Sequence, residues 1–321
     1  MRSDLALALL VLVASASAAA EPLVGAGVGN ADLLAAEGSR LYNEKKYEQA
    51  RDNFLRAARA APQTLPTYLS LARSYFAAKD LELACQAYRV YLKSAIDAPD
   101  RAKAQSESEL CDKQLRAKLP TGSALGQQYV AIKAELYDAL DKGNLLGPGS
   151  ARAKLVALLD AGYVAPDLAD IAAKIAQAAE KRAEAVYTAA SGRQKVAPAE
   201  LRDGAELYQL ALDTGAQPTF HTARIAFMQG LAFLLEGKTK EAEASFAEVV
   251  KRDPSNTEAR FFRGLAVYRG GDKAGALRQL ESELPKDPRT GILKVAASFD
   301  RSEDAAATEL QRFLFDRRFK Q

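Results

Sequence analysis

ADLLAAEGSRLYNEKKYEQARDNFLRAARAAPQT, Ala31 to Thr64, decides the fold, because the stretch of equal length that follows, Leu65 to Ala98, repeats its pattern of small and large side chains. Setting the second stretch beneath the first places Gly38 on Ala72, Leu41 on Tyr75, Ala50 on Ala84 and Phe54 on Tyr88. Each match is small on small or large on large. Self-similarity at a period of about 20 to 50 residues is the mark of stacked repeats. Within one copy, Gly38 and Ala50 let two short helices approach closely, while Leu41 and Phe54 fill the space beside them. Pro62 stops the second helix, since proline has no N–H to give to the preceding turn.

These residues resemble the tetratricopeptide repeat, whose pattern sets small, large, Ala, aromatic, small and Pro at positions 8, 11, 20, 24, 27 and 32. Counted from Ala31, those places hold Gly38, Leu41, Ala50, Phe54, Ala57 and Pro62. The second copy departs at Tyr91 and Ile96, and Pro99 closes it late. The register returns at Ala223 with Gly230, Phe233, Ala242, Phe246, Val249 and Pro254, and again at Thr257 with Gly264, Val267, Ala276, Leu280 and Pro288. Glu283 departs there at the small position. The resemblance implies an all-α, right-handed superhelical solenoid of antiparallel helix hairpins, about 14 to 16 helices in all.

An Ala-rich composition and the lack of alternating apolar residues agree with an all-helical chain. At 321 residues the chain exceeds a usual single core, yet stacked repeats extend one solenoid, so one elongated domain is expected. Six segments follow in order: 1–20, 21–30, 31–98, 99–222, 223–290 and 291–321. The first has the layout of a secretory signal peptide, with Arg2, an apolar run from Leu5 to Ala14, and Ala18 and Ala20 ahead of a cut before Glu21. That run is too short to span a bilayer, and no transmembrane span is expected after cleavage. The second is a Gly-rich lead-in read as flexible; the third and fifth are repeat pairs around a divergent helical middle, and the last caps the solenoid through Leu310, Phe313 and Leu314. Phe315 and Phe319 among Arg317, Arg318 and Lys320 offer a second reading of that tail as a contact surface.

Cys85 and Cys111 are equidistant in sequence from the turn at Ala98, which sets them level with each other in an antiparallel hairpin. In an exported chain they are candidates for a disulfide, the other reading being two separately buried small residues. Forty-four basic residues against 41 acidic ones leave a net charge of +3 with both signs interspersed, which disfavours nucleic acid as a partner.

Nothing assembles a catalytic constellation, a cofactor loop or a metal site: the single histidine, His221, is read as a surface or cap residue, and acidic pairs such as Glu107 and Glu109 as solvated. In the family, positions 2, 5, 9, 12 and 13 line the concave face. The resemblance assigns to it Ala35, Ser39, Tyr42, Asn43, Leu69, Arg73 and Phe76 in the first pair, and Phe227, Leu231, Leu234, Leu235, Phe261, Leu265, Tyr268 and Arg269 in the second. The Lys and Asn with which chaperone-binding members clamp a peptide carboxylate are missing at positions 5 and 9. The second set is either an apolar groove for a helical or extended peptide of a protein partner, or a face filled from within. Together the readings describe an exported, periplasmic interaction scaffold of a bacterial cell-envelope assembly; a ligand-binding or enzymatic pocket in the middle, or a homo-oligomer, are the alternatives.

Overall fold

A computed structural model describes residues 23–24, 28–118, 124–192, 194–216 and 221–298. Among them there are fourteen α-helices and no strand. The first repeat is α1 (Val28–Asn43) and α2 (Tyr47–Ala60); the second is α3 (Leu65–Ala77) and α4 (Leu81–Ser94). The middle holds α5 (Arg101–Lys118), α6 (Leu125–Asp141), α7 (Ala151–Asp160), α8 (Asp167–Ser191) and α9 (Pro198–Asp213). The second repeat pair is α10 (His221–Leu235) with α11 (Thr239–Arg252), then α12 (Thr257–Arg269) with α13 (Lys273–Glu283), and α14 (Pro288–Ser298) follows. Helices α1 to α5 pack consecutively, as do α8 to α14, and α6 pairs with α7. This is a solenoid of helical hairpins. The signal-like segment 1–20 and the capping segment from Ser302 onward lie outside the described residues.

The repeat's small and large positions meet as their volumes require. A Cβ added to Gly38 would lie 3.0 Å from Phe54, one on Gly230 2.9 Å from Phe246, and one on Gly264 2.5 Å from Leu280. Position 8 is therefore the floor on which the position-24 side chain rests, three times over. Gly230→Ala is expected to lower stability despite alanine's better helix propensity of about 1 kcal/mol, because moving a fully buried Phe246 costs about 1–3 kcal/mol. Urea titration of the two proteins measures the balance; a gain in midpoint would mean that the ring yields freely.

The turn inside each repeat has one geometry as well. Lys45, Lys79, Gly237 and Gly271 all stand at position 15 with positive φ, at 61, 70, 76 and 107°. In the first repeat the N–H of Lys45 reaches Tyr42 O and that of Lys46 reaches Leu41 O, both at 3.0 Å. Lys79 and Asp80 repeat this pair of bonds on Phe76 and Tyr75. Two main-chain bonds of this kind close orphan carbonyls at a helix end and force one residue left-handed. Glycine meets that demand without cost, and lysine does not. Gly143 and Gly162 end α6 and α7 in the same way, so the divergent middle uses the same stop.

Buried side chains form two clusters. The first takes residues from Leu41 to Leu115 and includes Ala104, Cys111 and Leu115 of α5. Cys85 and Cys111 are joined by a disulfide with Cα atoms 5.6 Å apart, so α5 belongs to the N-terminal block. The second core runs from Tyr129 to Leu293 and also takes in Val24. Residues 21–30, read as a flexible lead-in, differ from that expectation in their described part. Val24 is 2% exposed and α1 already begins at Val28.

One set of contacts lies outside the consecutive packing of the stack. The α7–α8 turn folds back on the first block: Val164 enters its core, the Arg59 guanidinium donates to Leu159 O, and the Gln63 amide donates to Pro166 O at 3.0 Å. Leu83 of α4 sits where a Cβ on Gly162 would be, 2.9 Å away. The cause is local. That turn presents Tyr163 and Val164, both 5% exposed: Val164 is taken into the first core, while the Tyr163 ring meets Tyr129 of α6 edge-on at 5.0 Å.

Candidate interaction surface

A repeat protein meets partners with the first helix of each hairpin, so the question is which inner-face side chains remain open. In the second pair almost none do. Phe227, Leu231, Leu234, Phe261, Leu265 and Tyr268 are all buried within the second core, and they form no open groove. The long α8 supplies part of the cover: Tyr187 meets the Phe227 ring edge-on at 5.7 Å, while Phe246 and Phe262 close on its other sides. The Arg289 guanidinium, leading α14, lies 4.0 Å over the Phe261 ring. Arg269 is half-buried, with a guanidinium N–H on Leu234 O at 3.4 Å, and Leu235 is partly buried.

The polar groups of this end are spent on one another. Tyr208 donates to Glu184 at 2.5 Å; Arg224 bonds Glu184 and stacks 4.7 Å over Tyr187. Burial, and then the bond to Glu184, pushes the Tyr208 phenol far above its ordinary value. Arg289, 3% exposed, is paired with Asp287 at 2.5 Å and Glu258 at 2.8 Å. His221 is not a surface residue as read from sequence. It is 2% exposed, with Nε2 3.1 Å from Glu180 and its ring edge-on to Tyr208 at 5.1 Å. Its place at the start of α10, under α8 and α9, buries it. Among the described residues no group of three or more His, Cys, Asp or Glu is placed to hold a metal ion.

The first pair is different. Leu69 is buried at 3%, but Arg73 and Phe76 on α3 and Tyr42 on α1 are only partly covered, and Ser39 and Asn43 are exposed. Arg73 makes a forked pair with Glu107 of α5: Nε to Oε2 at 2.8 Å and Nη2 to Oε1 at 3.1 Å. The Tyr88 hydroxyl donates to the same carboxylate at 3.3 Å. Burial alone would lower the Arg73 pKa, yet the bonds to Glu107 outweigh it and hold it above the ordinary value. Glu107 is thus an engaged residue, not a solvated one, and its spacing of 34 from Arg73 was the signal that could have found it.

The same spacing runs through the apolar members. Tyr42, Phe76 and Leu110 follow one another at the step of the repeat, on α1, α3 and α5. Phe76 and Leu110 each stand one helical turn beyond a member of the Arg73–Glu107 pair, on the same helix face. Burial raises the Tyr42 phenol's pKa, and the charges of Arg73 and Glu107 also act on it. Leu110 is 48% exposed. An apolar ladder beside a neutralised ion pair therefore lies open on the N-terminal block, and sequence reasoning placed only part of it.

Stacked antiparallel hairpins with one inner face open and the other filled define an α-solenoid of the interaction-scaffold class. The family model of the tetratricopeptide repeat matches residues 35–99 and 227–289, so the chain carries tetratricopeptide repeats over its two repeat pairs. No curated protein matches the sequence. Among solved structures it is similar to the TPR2AB-domain:pHSP90 complex of yeast Sti1, at 16% identity over 88% of this chain and 100% of that one, with a TM-score of 0.27.

Proposed function

We propose that the protein is an exported, non-enzymatic scaffold of a bacterial envelope assembly, and that it holds a protein partner on the inner face of its N-terminal block. One observation carries the placement: Tyr42, Phe76 and Leu110 stay accessible at the register where Leu234 and Tyr268 of the second pair are buried. The partner segment is apolar and helical or extended, since Arg73 and Glu107 already satisfy each other and the face has no lysine–asparagine clamp for a terminal carboxylate. Support for export comes from the apolar run Leu5–Ala14 with its small-residue cut site, and from a disulfide of the kind that persists in oxidising compartments.

Crosslinking in cells followed by mass spectrometry identifies the partner. Phe76→Glu with Leu110→Glu is expected to weaken its capture by about 100-fold or more, on the order of 3 kcal/mol for two apolar contacts of a central cluster. Helix content should not change, because Phe76 is only partly buried against the first core and Leu110 is 48% exposed. Undiminished capture by the double variant would reject this face. A mass spectrum of the envelope-fraction protein that begins at Met1 rather than Glu21 would reject the cleaved-export part.

A further inference from the structure

Leu23 and Val24 stand just ahead of α1, yet they do not pack with the N-terminal block. Val24 is 2% exposed and belongs to the second core, and Leu23 packs partly buried against that core. The Val24 N–H donates to Asp213 O, the last residue of α9, at 3.1 Å. That carbonyl sits in a helix's last turn, where no intrahelical donor remains for it. The receiving end is itself fixed. Gln209 donates to Asp213 Oδ1 at 2.8 Å, Arg152 of α7 lies 3.7 Å from Oδ2, and the Thr214 hydroxyl turns back to Leu210 O at 2.7 Å.

Four peptide steps separate Val24 from Val28, and a chain of that length spans at most about 14 Å. The first turn of α1 is therefore held near the end of α9. Units of a stacked-repeat chain touch only their sequence neighbours, and this contact joins the residues ahead of the first helix to the end of the ninth. With the Arg59 and Gln63 bonds to the α7–α8 turn it makes a second, separate tie between the two cores.

We infer that Leu23–Val24 is a strap: seated on α9, it keeps the N-terminal block and its open inner face from swinging away from the second core. The inference is independent of partner and compartment.

Two substitutions in the full chain test it. In the unaltered protein the residue-24 amide is expected to exchange on the order of 100-fold more slowly than a free amide. Val24→Asp sets a carboxylate against a buried apolar site beside Asp213 and is expected to return that rate to within a few-fold of the free value, with helix content unchanged. The sequence has no tryptophan, so Leu23→Trp introduces a sole reporter. Its emission is expected to be blue-shifted, and to move to the red when Val24→Asp is added. A residue-24 amide that exchanges freely in the unaltered chain, or a reporter that emits as if fully solvated, overturns the strap.

Discussion

Phe246→Ala is expected to destabilise the protein by about 3–5 kcal/mol, the range for removing a large aromatic from a close-packed core. The side chain is 0% exposed, rests on Gly230, stacks on Phe262 with centroids 5.5 Å apart and meets Phe227 edge-on at 5.9 Å. Gly230 has no side chain with which to refill the space, and the other rings are held from their far sides by Tyr187 and Phe261. The cavity should therefore persist. Denaturant titration measures the loss, and a cost below about 1 kcal/mol would show that the aromatic cluster collapses onto the gap. Xenon or benzene uptake by the variant would locate the void.

Replacing Cys85 and Cys111 together by alanine is expected to cost about 3–4 kcal/mol, from the entropy returned to an unfolded chain that a 26-residue separation had constrained. The loss should fall on α5. Its buried side chains are the small or medium Ala104, Ser108, Cys111 and Leu115, and its other ties include the Arg73–Glu107 and Arg89–Asp112 pairs, the Tyr88 hydroxyl on Glu107 and the Arg101 guanidinium on Leu92 O and Ala95 O. Amide exchange in α5 should accelerate well before that in α12. If α5 keeps its protection without the disulfide, packing and ion pairs alone hold the helix.

The fold was legible because its determinant is a local contact of volumes. A glycine at position 8 and a ring or leucine at position 24 lie within one hairpin, and each copy restates the pairing. Helix bounds such as Pro198–Asp213 were readable from proline, glycine and periodicity, and Ser150 caps α7 as its type suggests, accepting from the Ala153 N–H at 3.2 Å. Burial of the second inner face was not legible. The same apolar row reads as a groove or as a core depending on α8, and the whole of α9 intervenes in sequence between Tyr187 and the Phe227 it covers. Arg289 is harder still, a cation that looks solvated until Asp287, Glu258 and the Phe261 ring surround it. Leu23 and Val24 are two apolar residues in a Gly-rich stretch, too few to show a period.

Position 15 bears on how separable the repeats are. In the second pair it is glycine twice, Gly237 and Gly271, and the hairpin turn suits its own sequence. In the first pair Lys45 and Lys79 take the left-handed conformation at a cost on the order of 1 kcal/mol each. Packing in the intact chain overrides that local preference. Of the two pairs, the glycine-turned one is the more portable module, and the lysine-turned one depends on the company it keeps.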